Sequence, residues 1–185
     1  MIYTGTKRRV FISHFREDEK EVNIFIEQFA NKEKVFTPYV LGANNNDDFI
    51  DSTDTDYVMS QIRQKYLKDS TVTIVLIGSC THSRRYVDWE IKSSLTQGEQ
   101  TPNGLLGILL PNQGTKGHLP DRFKLNWSRE ADCYSLYKPY PTSAGQLGRW
   151  IGEAYERRTT RQKQIENPKD MMKYNQKCKT CGETH

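Results

Sequence analysis

The stretch Thr71–Ile77, TVTIVLI, constrains this chain most. It is apolar without a break after its first residues and too short for a helix. A strand of that kind is buried on both faces, so the sheet that holds it must be covered on both sides. Arg8–Ser13 (RRVFIS) and Leu105–Leu110 (LLGILL, stopped by Pro111) read as strands of the same type. Lys34–Leu41 reads as a further strand, and its Pro38, which lacks a ladder donor, suits a sheet edge. Cys133–Tyr137 is a short, weaker candidate. Between the strands, apolar stripes recur with helical spacing: Val22, Phe25, Ile26 and Phe29; Met59, Ile62 and Tyr66 on a helix near 56–67; Val87, Ile91 and Leu95 near 84–97; and Leu147, Trp150, Ile151 and Ala154 on a last helix near 143–163. Residues 111–131 read as irregular. Alternation of strand and helix predicts an α/β fold, a flavodoxin-like three-layer sandwich around a mostly parallel five-stranded sheet.

A chain of 185 residues accommodates one domain, 1–165, and a basic, loosely ordered tail, 166–185. The net charge of +4 sits in the C-terminal segment: residues 149–185 hold nine Lys and Arg against five Asp and Glu. That places the excess on the solvated side of the last helix and in the tail, which argues against a nucleic-acid-binding face. No apolar run approaches the ~20 residues that span a bilayer. The first residues, MIYTGTKRR, contain no apolar core of a secretory signal, and four scattered cysteines make no disulfide framework, so a cytoplasmic location is expected.

Ligands of open α/β sheets bind beyond the C-terminal strand ends. Here those ends carry Ser13–Glu19, Gly42–Thr55 and Gly78–Ser83. None holds G-x-G-x-x-G or the P-loop pattern, which sets aside dinucleotide-binding Rossmann and P-loop chemistry. The third long strand ends Ile77-Gly78-Ser79 without the aspartate of a phosphoacceptor, and the Thr/Gly-rich phosphate loop of flavodoxins is missing after the first. Asp51, Asp54 and Asp56 fit a solvated loop with a helix cap at Asp54 or Thr55, or else a hard-cation site. In the tail, Cys178-x-x-Cys181-x-x-x-His185 has metal-like spacing but offers three ligands at most. Zinc there would need a fourth, for instance from another chain; otherwise the tail carries two free thiols. Cys80 reads as a small pocket-wall residue, because no feature supplies it with an activating base although His82 is near.

The helix that begins near Arg84 carries the candidate chemistry. At about 100° per residue, Tyr86, Glu90 and the small Ser93 share a face, and the core stripe of Val87, Ile91 and Leu95 is turned from it by roughly the same angle. Glu90 is therefore placed beside the core, near the strand ends, while Trp89 lies on another side above Arg85. A carboxylate there suits cleavage of a nicotinamide N-glycosidic bond, whose transition state is oxocarbenium-like. It can hold ribose hydroxyls and offset growing positive charge, while an aromatic face packs on a ring or a cation. Surface Glu and Tyr one turn apart would look the same.

RRVFISHF at the first strand and VTIVLIGSCTHSRRYVDWEI at the third strand and its helix resemble a TIR domain, and more narrowly the bacterial TIR-like family that includes the TIR subunit of the Thoeris anti-phage system. The resemblance covers about residues 8–160. It implies an NAD-cleaving enzyme that releases nicotinamide and makes a cyclic or conjugated ADP-ribose signal read by a downstream effector. It implies Glu90 as the catalytic glutamate and Tyr86 at the aromatic place of the W-x-x-x-E pattern, a departure from tryptophan that keeps the ring. It further implies Ser13, His14, Phe15 and Arg16 as lining of the nucleotide pocket and Ser79 as the small residue after the third long strand. Arg84 and Arg85 would face phosphate or pair with Asp88. Gly42–Thr55 corresponds to a variable loop that closes over substrate or makes assembly contacts. No cofactor and no metal is implied, since NAD+ is consumed as substrate; partners would be NAD+ and other TIR surfaces in self-assembly. The other reading of the same resemblance is a non-catalytic TIR-type interaction module.

Overall fold

In the computed structural model of the chain, residues 2–40, 55–96, 101–111, 117–129 and 132–185 are described. The strands β1 (Arg8–Ser13), β2 (Phe36–Val40), β3 (Val72–Ile77), β4 (Gly104–Leu109) and β5 (Leu136–Lys138) form one sheet in the order β2-β1-β3-β4-β5. Every pairing in it is parallel. This is the flavodoxin-like α/β arrangement that the alternating pattern predicts. Pro38 lies in β2, at the sheet edge, where its missing N–H is tolerated.

The helices are α1 (Glu19–Phe25, continued by a π-helical stretch Ile26–Lys32), α2 (Thr55–Ile62, continued by Arg63–Leu67), α3 (Arg85–Leu95), α4 (Asp121–Leu125) and α5 (Ala144–Thr160). The period of two along the strands sorts them into layers. Val10, Ile12, Ile74, Leu76, Leu106 and Ile108 pack with Phe25 and Phe29 of the first helix and Leu147, Ile151 and Ala154 of α5. On the opposite face, Val75, Ile77, Leu105 and Leu109 meet Val87, Ile91 and Leu95 of α3, and Phe11 meets Ile62, Leu67 and Trp89. The three predicted helical stripes whose side chains are fully described all face the core.

Several boundaries differ from the sequence reading. α5 is shorter at both ends: Ser143 lies outside it as N-cap and accepts a hydrogen bond from the Gln146 amide at 3.3 Å, while Gln162–Gln164 form a separate 3-10 turn. β5 starts at Leu136, because the Ser135 amide is committed elsewhere, to the Asn126 carbonyl at 2.8 Å. The stretch 111–131 contains α4, too short to show a periodic stripe. The proposed closing loop through Asp54 lies outside the described residues, as do the side chains of Asp56, Met59 and Tyr66, so the acidic trio does too. Among the described residues, no helix is long and apolar enough to cross a membrane.

The first residue of β4 sits hard against α5. A Cβ at Gly104 would lie 2.0 Å from the Ala154 carbonyl oxygen, a backbone atom that cannot swing away. Gly104→Ala is expected to destabilise the fold by about 1–3 kcal/mol or more, as overpacking does. A lower denaturation midpoint with an unchanged m-value would report it.

The tail, 166–185, has no regular helix or strand, yet it is fastened to the body. Trp89 Nε1 donates to the Met172 carbonyl at 2.9 Å, and the Met172 amide donates to Asp88 Oδ2 at 3.0 Å. The Arg85 amide donates to Asn175 Oδ1 at 3.0 Å, and the Gln176 amide to the Ser83 carbonyl at 2.9 Å. Met171 packs against the cluster of Phe11, Ile62, Leu67 and Trp89. These are mostly backbone contacts, and they leave no hydropathy pattern from which the loose tail of the sequence reading could have been corrected.

Candidate functional site

The site is built where the strand order reverses, between the ends of β1 and β3, which is the ligand-binding crevice of such sheets. Phe11 faces α3, so two residues later Ser13 does as well. α3 lies across both clusters on this face, using Trp89 for one and Val87, Ile91 and Leu95 for the other. Glu90 falls at the seam, only 4% exposed. Ser13 Oγ, fully buried, donates to Glu90 Oε2 at 2.5 Å. Small hydroxyl residues let helix and sheet approach here: Ser94 Oγ lies 2.7 Å from Thr73 Oγ1 and donates to the Glu90 carbonyl at 2.8 Å.

Burial raises the Glu90 carboxyl from 4.5 to about 8, and the Ser13 bond only partly opposes it. At neutral pH the group is therefore mostly protonated. A folded-state pKa above the ordinary value means that stability is fully present below about 4.5 and is lost as pH rises to about 8. The loss runs at ~1.4 kcal/mol per pH unit within that window. Removing the Ser13 hydroxyl takes away the one contact that favours the charged form. Ser13→Ala is thus expected to move the upper end of this window to higher pH, which denaturation midpoints measured across pH would show.

A second carboxyl lies in the same crevice, which the sequence does not single out within the loop Ser13–Glu19. Asp18 follows β1 in a 3-10 turn, is 8% exposed, and accepts from Thr81 Oγ1 at 3.3 Å. Burial pushes it up to about 6, against the Thr81 bond. A Cβ on Gly78 would come within 2.1 Å of Asp18 Oδ2, so glycine after β3 is what admits the carboxylate. The Gly78 amide donates to Thr81 Oγ1 at 2.9 Å, which completes a tie between the two loops. The sequence signal is the glycine that directly follows the third long strand.

The remaining candidates divide. His14 is half-buried, and burial lowers its pKa, opposed by Glu19 and by a backbone bond at Ile12. Phe15 packs under the Arg84 guanidinium, 4.6 Å from its ring centroid. Arg16 is exposed in the 3-10 turn. The Ser79 carbonyl accepts from Thr180 Oγ1 of the tail at 3.1 Å. Tyr86 lies edge-on to Trp89, ring centroids 5.3 Å apart, with the Arg85 guanidinium 5.0 Å from the Tyr86 ring. So Ser13 and Glu90 meet directly, whereas Tyr86 joins the Trp89–Arg85 stack.

Neither arginine pairs with Asp88, which answers one of the two roles open to them. Asp88 accepts from Arg122 Nε at 2.8 Å and Nη2 at 3.3 Å, in a pair almost wholly buried. Arg84 is itself buried and spends its donors on the Cys80 carbonyl (3.2 Å), Ser83 Oγ (2.6 Å) and the His185 carbonyl (2.9 Å). His82 offers Cys80 no base: burial pushes it down to about 4, and its Nε2 accepts from the Lys179 amide at 3.0 Å. Cys80 is more than a wall residue, since its sulfur is in disulfide contact with Cys178 of the tail, Cα atoms 5.3 Å apart.

One protein-family model matches the chain, that of the Thoeris protein ThsB, TIR-like domain, over residues 11–115. That span takes in the end of β1 from Phe11, β2 through β4 and the whole of α3, including Ser13, Ser79, Tyr86 and Glu90. No curated protein matches the chain.

Proposed function

The chain belongs to the family of Thoeris ThsB TIR-like domains, and on that premise we propose that it is an NAD+-cleaving enzyme that releases nicotinamide and makes a cyclic or conjugated ADP-ribose signal in anti-phage defence. The observation that carries the reading is Glu90: a carboxyl held at the β1/β3 switch point by Ser13 and kept neutral by burial. A domain that only docks onto other TIR surfaces has no use for an acid so costly to ionise.

The chemistry follows from that environment. The nicotinamide of NAD+ is cationic, and a cation brought beside Glu90 favours the charged carboxylate and draws its pKa down. As the C–N bond breaks, its electron pair goes to the nicotinamide ring, which leaves neutral and needs no general acid. Positive charge grows on the ribose, and the Glu90 carboxylate stabilises it at short range in a low-dielectric site. The same carboxylate can accept from a ribose hydroxyl and fix the sugar's orientation. Ser13 positions Glu90, and half-buried Tyr86 and Arg85, backed by the buried Trp89, offer aromatic and cationic surface on the same helix. A nucleophile from the substrate or from a second small molecule then captures the ribosyl cation, giving the cyclic or conjugated product. Self-assembly through TIR surfaces and a downstream effector complete the proposed role.

The test is to incubate the purified chain at high concentration with NAD+, alone and with extract of phage-infected cells, and to follow nicotinamide by chromatography. Release in either condition supports the reading. Intact NAD+ in both counts against it.

A further inference from the structure

We propose that Cys80, Cys178, Cys181 and His185, with the cysteines reduced, form a tetrahedral zinc site that staples the tail to the loop after β3. The sequence motif Cys178-x-x-Cys181-x-x-x-His185 supplies three ligands and lacks a fourth. The fold supplies it from within the same chain: Cys80 lies about a hundred residues earlier in sequence, and its sulfur is among theirs. The Sγ atoms of Cys80, Cys178 and Cys181 all lie within 4.8 Å of one another. Cys80 Sγ is 3.4 Å from Cys181 Sγ and 3.5 Å from His185 Nε2, and Cys181 Sγ is 3.2 Å from that same nitrogen. With Zn–S near 2.3 Å and Zn–N near 2.0 Å, a tetrahedral ion holds its sulfurs ~3.8 Å apart and sulfur and nitrogen ~3.5 Å apart. The three contacts just given need adjustments of a few tenths of an ångström; reduction must also part the Cys80 and Cys178 sulfurs, and the His185 ring must close on Cys178, each by about an ångström or more. Three thiolates and an imidazole are a ligand set that selects zinc.

The surroundings are those of a metal site. His185 turns Nε2 towards the sulfurs and presents Nδ1 to Glu17 Oε1 at 3.1 Å, the carboxylate–histidine arrangement that fixes tautomer and ring direction for a metal. Arg84 Nη1 and Asn175 Nδ2 both hold the His185 carbonyl, at 2.9 and 2.7 Å, and the ring packs on Phe15. Cys178 and Cys181 sit on a tight turn closed by a bond from the Gly182 amide to the Cys178 carbonyl at 2.9 Å. Gly182 has φ +80°, which a side chain would resist. Just beyond, the Glu183 amide points at Cys181 Sγ, 3.5 Å away, as an amide does towards a thiolate. A Cys80–Cys178 disulfide occupies two of the four groups and gives Cys181, His185 and the Glu17 contact no task. An ion uses all of them. Its consequence is structural: the site joins the tail to residues 15–17 after β1 and to Cys80 after β3, beside the crevice that holds Glu90.

The test uses the full chain without a histidine tag. It is reduced, freed of metal, given zinc or cobalt under anaerobic conditions, and desalted. About one zinc per chain by elemental analysis is expected, together with protection of three of the four thiols from alkylation. Cobalt should give the intense visible bands of a tetrahedral thiolate site. Cys80→Ser and His185→Ala should each weaken zinc retention against a chelator by at least tenfold, while Cys133→Ser, on the free cysteine outside the cluster, should not. The proposal is overturned if the reduced wild-type chain retains no zinc, if cobalt shows an octahedral spectrum, or if zinc binds equally well in Cys80→Ser, which would leave the tail to bind metal by itself. The metal and alkylation readouts do not depend on NAD+ cleavage.

Discussion

Glu90→Gln is expected to lower nicotinamide release by roughly 10²–10³-fold, the range for losing one preorganised electrostatic group. The same substitution should make the chain more stable at neutral pH. The substituted amide is neutral at every pH, so it no longer resists burial as the carboxylate does. At pH 7 the parent chain must either hold the proton that its unfolded form has lost or ionise without water. Against a rise from 4.5 to about 8, that costs on the order of 3 kcal/mol. Some of it is not recovered, because the new amide N–H groups also need partners. A net gain of about 1–2 kcal/mol remains, visible as a higher denaturation midpoint at pH 7 that disappears near pH 4. Loss of activity with gain of stability is what separates a functional acid from a structural one, since a Glu that served the fold would cost stability when neutralised.

The second large effect concerns Arg122. Its guanidinium makes two bonds to Asp88 and others to the Asn167 side chain (3.0 Å) and to the carbonyls of Pro168 (3.0 Å) and Asp170 (2.6 Å). It thereby joins α3, α4 and the tail. Arg122→Met leaves the buried Asp88 carboxylate without its paired guanidinium and with Lys92 as a nearby charge, and breaking a buried pair in this way typically costs about 3–5 kcal/mol, so a drop towards that size is expected in equilibrium denaturation. The double variant Arg122→Met/Asp88→Asn should recover part of the loss, because no uncompensated charge remains. Hydrogen exchange should show faster opening of residues 166–176 in the single variant, as the tail loses its anchor.

The two cases show where sequence reasoning reaches and where it stops. β1, β3 and α3 are legible because burial on both faces and a helical stripe write themselves into residue order, and the position of Glu90 beside that stripe follows from the helical repeat. Its burial does not. It depends on Ser13 arriving from β1, a contact between residues 77 apart. Asp18 goes unmarked in the loop Ser13–Glu19 for the same reason: what admits it is Gly78, on another loop. Arg122 sits on a helix of five residues, below the length at which periodicity speaks, and its partners come from 34 to 48 residues away. The tail shows both sides at once. Its Cys-x-x-Cys-x-x-x-His spacing is visible in the sequence, but the ligand that completes it, Cys80, is set by topology. Geometry by itself leaves Glu90 open between a catalytic acid and an unusual core residue, and the proposed role leans on the resemblance of its helix to the family pattern.

The central claim is that Glu90 serves NAD+ cleavage, and mass spectrometry of the small molecules formed from NAD+ tests it most directly. Parent chain and Glu90→Gln would be incubated side by side at high protein concentration, with extract of phage-infected cells present. The account predicts free nicotinamide and an equimolar cyclic or conjugated ADP-ribose species from the parent chain, with both nearly absent from Glu90→Gln. Unchanged NAD+ with the parent chain, or the same products at the same rate from Glu90→Gln, would contradict it.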